Sequence, residues 1–100
     1  MPIERKLFKS AKWRAKLKNL EFTLTIEDIC IPKRCPVFNI PLIHGGGPNA
    51  PTIDRIDNTK GYTKQNIIIV SAKANNFKSY ATIEEIKQLA AFYEQLISNK

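Results

Sequence analysis

The chain has 100 residues but only two cysteines, one histidine, one tryptophan and one methionine. Each scarcity removes a class of protein. Two cysteines cannot staple a disulfide-dense secreted domain. Cys30 and Cys35 can close a bridge across CIPKRC, or stay reduced and buried, and a chain without an export signal favours the second. With His44 as the only histidine, a zinc centre would lack two ligands, so no structural zinc is expected. No segment approaches the roughly 20 consecutive apolar residues of a membrane span. The start, MPIERKLFKS, has neither the apolar core nor the cleavage site of a secretory signal. The expectation is a cytoplasmic protein with no membrane partner. Acid is scarce as well: nine Asp and Glu face sixteen Lys and Arg, a formal net charge of +7. That balance points first to nucleic acid.

What is present is ordinary globular material, 43% hydrophobic and 25% charged, enough for one domain over residues 1–100. Residues 3–18 have helical periodicity through Leu7, Ala11 and Ala15, with Trp13, Leu17 and Leu20 continuing an apolar edge and Asn19 suited to the end. Arg5, Lys9, Lys12, Arg14 and Lys16 stand on this helix, with Glu4 the only acid up to residue 18. The stripe suggests a polyanion-facing surface; a merely solvated face is the alternative. Phe22, Leu24 and Ile26 alternate as in an extended segment. Thr25 opens a short helix that Pro32 stops. CPVFNIPL reads as a tight hairpin directing Val37, Phe38, Ile40 and Leu42 inward, and HGGGPNAP as a loop. Then follow a strand over 52–55, a loop over 56–66, a strand over 67–70 and a helix from Ser71 to about residue 79. Thr82-Ile-Glu-Glu is a capping box for a helix to about residue 98, whose stripe of Ile83, Ile86, Leu89, Ala90, Tyr93 and Leu96/Ile97 is expected to be buried. The fold class is α+β, a two-stranded element among about three helices.

Residues 51–79 carry the chemistry. Asp54 ends the first strand and Asn75 lies in the first turns of the following helix, a layout that can bring a carboxylate and an amide oxygen over one site. A hard divalent cation and the phosphate it binds suit such a pair. Plainer readings stand beside it. Asp54 can pair with Arg55 or Lys60, and Asn75 and Asn76 can be helix surface, although asparagine is an indifferent helix former. Lys73 and Lys78 are either phosphate contacts or exposed lysines. Trp13 either stacks on a base or joins the core.

The ordered set FTLTIEDI, CPVFNIPL, IDRIDNTKGYTKQNIIIVSAKANNFKS and TIEEI resembles the ββα-metal fold of HNH and endonuclease VII-like nucleases, and more narrowly the small phage and prophage HNH-type proteins. The resemblance runs from about Phe22 to Leu89. It implies a ββα core at 51–79 flanked by a basic helix at 1–20 and a C-terminal helix at 82–98. It also implies an endonuclease that nicks or cuts duplex DNA with little sequence specificity, using one divalent ion, Mg²⁺ or Mn²⁺, in the host-cell cytoplasm if phage-encoded. Asp54 matches the metal-binding acid, Asn75 the helix ligand, and Asn66 the asparagine that ties the intervening loop to itself. Arg55 stands where the general-base histidine belongs. Arginine stays protonated at any ordinary pH, so it can grip a phosphate but not accept a proton. His44 and Asp57 are the candidate replacements, beside hydrolysis without a protein base and loss of cutting altogether. The alternatives to a nuclease are a non-catalytic nucleic-acid-binding or regulatory protein on this scaffold and a binder of a host factor. A double-strand cut would need a homodimer.

Overall fold

The computed structural model describes residues 2–99; Met1 and Lys100, the ends of the expected domain, lie outside them. The class is α+β, with three α-helices and one two-stranded antiparallel sheet among the described residues. Helix α1 spans Ile3–Lys18. Asn19 ends it in the left-handed region at φ 55°, while the Asn19 and Leu20 amides turn back to Lys16 and Ala15 carbonyls and close its last turn. Thr25 and Asp28 form a reciprocal cap, but only one 3-10 turn follows, Ile26–Asp28, ahead of Pro32.

Strands β1 (Pro51–Arg55) and β2 (Ile67–Ser71) pair with Asp54 opposite Ile68 and Arg55 opposite Ile67. Each is one residue longer than the sequence predicts. Helix α2 (Ala72–Tyr80) leaves β2 without a linker because the Ser71 hydroxyl accepts the Ala74 amide at 3.2 Å. Helix α3 (Ile83–Ser98) starts at the Thr82–Glu85 capping box.

Two small cores hold these elements. Ala11 and Ala15 of α1, both fully enclosed, lie against Leu24, Ile29, Ile53, Tyr62 and Ile69. Small side chains here let α1 approach the sheet closely. Cys35, Val70 and Ala74 form the second core, joining the hairpin around residues 34–41 to α2. The Cys35 sulfur accepts the Ser71 amide at 3.3 Å. Burial pushes this thiol up, but hydrogen bonds from Ser71 and from the Phe38 and Val37 amides outweigh it and bring its pKa to about 7. Both cysteines are free, and Cys30 is exposed rather than buried.

Three apolar expectations fail on burial. Trp13 and Leu17 are exposed, because α1 turns the Ala11–Ala15 ridge inward instead of the tryptophan edge. In the hairpin Ile40 and Leu42 pack inward, whereas Val37 and Phe38 stay exposed at its tip. No residue of α3 is buried, since its stripe meets little of the rest of the chain. That stripe as far as Tyr93 borders a cavity of about 590 Å³ that also touches Phe38, Phe77 and Val70. Among the described residues no helix is long and apolar enough to cross a membrane.

Candidate functional site

Strand alternation decides what each β1 side chain meets. Ile53 enters the core, whereas Thr52 and Asp54 turn to α2. On α2, Asn75 and Lys78 are three residues apart and therefore share the face that crosses β1. The Asn75 amide nitrogen donates to the Thr52 hydroxyl at 3.3 Å, and the Ser79 hydroxyl donates to Asn75 Oδ1 at 3.5 Å. Lys78 Nζ donates to Asp54 Oδ1 at 3.0 Å and also to the Arg55 carbonyl. Asp54 is thus a buried, ion-paired carboxylate, its partner being Lys78 and not Arg55 or Lys60. Among the described residues no hydrogen bond reaches its Oδ2.

Asp54 and Asn75 line one open cavity of about 370 Å³, closed on its other side by α1. Its cationic wall is built around Tyr62, which is 3% exposed. The Arg14 and Arg55 guanidinium carbons stand 5.9 and 5.4 Å from the Tyr62 ring centre. Arg14 Nε donates to the Tyr62 hydroxyl at 3.2 Å. One terminal nitrogen of Arg55 donates to the Asn58 and Lys60 carbonyls, both at 2.9 Å. Each arginine is therefore fixed by part of its donor fork, and both line the cavity with Lys18.

The loop between the strands is held by Asn66. Its Oδ1 accepts the Asp57 amide at 2.9 Å, while its Nδ2 donates to the Asp57 and Gly61 carbonyls at 3.1 and 2.8 Å. Gly61 lets this loop press on the chain after α1: a Cβ there would lie 2.3 Å from the Glu21 carbonyl oxygen. Phe22 and Tyr62 form a bridge at the same point.

Neither candidate base lines the cavity. His44 is exposed in the turn before β1. Asp57 directs its carboxylate into its own loop, where the Thr59 hydroxyl and amide donate to it and hold its pKa below the usual carboxylate range. The basic residues also separate. Arg14 belongs to the cavity and Lys78 to Asp54, whereas Lys73 stands 5.1 Å from the Phe38 ring centre. Arg5, Lys9, Lys12 and Lys16 share another face of α1. The sequence groups Arg14 and Lys18 with that stripe and suggests Tyr62 packed against the loop, as its burial shows, but gives no sign that these residues and Thr52 line the cavity. The spacing Leu7, Ser10, Arg14, Lys18, one face of a helix, is the signal that separates Arg14 from its neighbours.

The residues fit a hard cation: Asp54, a carboxylate, and Asn75, an amide, line the same open cavity, and Mg²⁺ takes few protein oxygens and keeps several waters. Among the described residues no cluster of three or more His, Cys, Asp or Glu forms an all-protein cage.

No protein-family model matches the sequence, and no solved structure matches it. The chain is similar to an uncharacterised 29.0 kDa protein of Enterobacteria phage T4, in the dda-modA intergenic region, with 38% identity over 77 residues. The match covers 77% of this chain and 31% of the phage protein, so the chain spans under a third of that relative.

Proposed function

We propose that this chain is a metal-dependent DNA endonuclease of the HNH, endonuclease VII-like kind, with 51–79 as its ββα core. The observation that carries the reading is the shared cavity: Asp54 from β1 and Asn75 from α2 open onto the same space as Arg14 and Arg55. Oxygen ligands for a cation thus face guanidinium groups for a phosphate, the pairing that phosphodiester hydrolysis uses. A bound Mg²⁺ or Mn²⁺ would supply charge neutralisation at the phosphate and the leaving oxygen. Arg55 and Arg14 would orient the phosphate through their remaining N–H donors, with Tyr62 keeping both forks in place. Asn66 would fix the loop that carries Arg55's carbonyl partners. The likeness to a phage protein agrees with the phage-type family and adds nothing about activity.

The test is nicking of supercoiled plasmid by purified protein with Mg²⁺ or Mn²⁺, with and without chelator. Chelator-sensitive nicking is expected, falling by roughly 100-fold or more in Asp54→Ala and in Asn75→Ala. One site per chain predicts nicks from single copies; cutting both strands in one event would require two copies. A second reading, a non-catalytic nucleic-acid-binding protein, is favoured by one observation: Lys78 already neutralises Asp54 and no base lines the cavity. DNA binding without nicking, unchanged in Asp54→Ala, would establish it.

A further inference from the structure

The face of α1 away from the candidate site has an unusual composition. Arg5, Lys9, Lys12 and Lys16 border a shallow groove of about 540 Å³ around Phe8 and Trp13, and no acid lines it. Among the described residues none of the four takes part in an ion pair. Trp13 is 60% exposed, although a tryptophan buries more apolar area than almost any other side chain when a core can use it. A ligand that satisfies this face must bring several negative charges and a flat apolar surface together.

We propose that the Trp13 face binds single-stranded nucleic acid, one unpaired base stacking on the indole while the lysines follow the phosphates. This rests on the nucleic-acid reading above and names the form of nucleic acid that this face holds. Duplex DNA supplies phosphates but keeps its base faces stacked inside, so only an unpaired nucleotide offers the indole a partner. An anionic membrane is the weaker match. Trp13 and Leu17 are the large apolar side chains that α1 leaves exposed, too few for the broad apolar face of an interfacial helix, whose counterpart here is spent on the core. Trp13 forms the groove's edge toward the candidate site, and Leu17, one turn on, lies on the solvent side between it and the Ser10–Arg14 face. A single strand can therefore pass over α1 from the cavity to the indole.

Trp13 is the only tryptophan in the chain, so its fluorescence reports this surface directly. Titration with an oligothymidylate in chelator, where no cleavage is required, should quench the emission saturably and less steeply as salt rises. By anisotropy of a labelled oligonucleotide, Trp13→Ala should weaken single-strand binding about tenfold, with Trp13→Phe retaining most of it and duplex affinity changing less than twofold. Lys9→Glu with Lys12→Glu should weaken both forms. Quenching retained by a protein that does not nick plasmid would support the Trp13 surface and strike only the catalytic reading. Equal affinity for single strand and duplex, an unchanged Trp13→Ala, or stronger quenching by vesicles containing phosphatidylserine would overturn the proposal.

Discussion

At Asp54 a lysine ammonium already occupies the carboxylate that the proposed divalent ion would need. Lys78 holds Oδ1 and the Arg55 carbonyl, so an ion that binds with Asn75 must displace or share that contact. Lys78→Met removes the competitor and leaves a mostly buried carboxylate unpaired. The variant should lose about 1–2 kcal/mol in metal-free buffer, less than a fully buried pair because the lysine keeps solvent access. Millimolar Mg²⁺ should then raise its melting temperature more than that of the parent. Equal melting with and without the ion, in both proteins, would remove Asp54 as a metal ligand. Asp54 and Asn75 were legible in the sequence because strand end and first helical turn are local features. Lys78 was legible only as a cation on the same helix, since its choice of Asp54 depends on how α2 crosses β1. Arg14 was misgrouped for a similar reason: the sequence shows seven bases near the start but not which face of α1 meets Tyr62.

Among the elements, the loop between the strands is the joint that aligns α1 with the sheet. Its close approach at Gly61 predicts a specific sensitivity. Gly61→Ala should lower the urea midpoint by the equivalent of about 2 kcal/mol or more, because the new Cβ meets Glu21 backbone and not a movable side chain. Gly45→Ala serves as the contrast. That glycine sits at φ +73° in open space, so the expected cost is the backbone term alone, about 1 kcal/mol. Helix positions were largely legible: Ser71 and Thr82 bond as their sequence contexts predict, and Asn19 ends α1. The hairpin around 34–41 was only half legible. Tight turns force alternate side chains outward, but whether Val37 and Phe38 find cover depends on where α2 and α3 lie, which local pattern does not encode. The stripe on α3 shows the same limit, since periodicity names the face a helix can bury and not the neighbour that buries it.

The whole molecule is elongated, 51 × 28 × 20 Å, with its burial concentrated around the sheet. An isolated helix of about 15 residues is marginal in water, and α3 has little tertiary burial to add to its capping box. Amides of α3 should therefore exchange with solvent well before those of β1, β2 and the Ala11–Ala15 turn of α1. Uniform exchange across all three helices would contradict that ranking. The two sulfurs extend the comparison to the second core. Cys30 is open to reagent, while Cys35, on the hairpin itself, is buried against Val70 and Ala74 with its sulfur accepting the Ser71 amide, and reacts only when the hairpin lifts from the start of α2. A single dose of iodoacetamide followed by mass spectrometry should add one group promptly and a second more slowly, in proportion to the fraction of time the hairpin is open. The chain thus carries a built-in clock for its own breathing, with Cys30 marking the start and Cys35 the elapsed time.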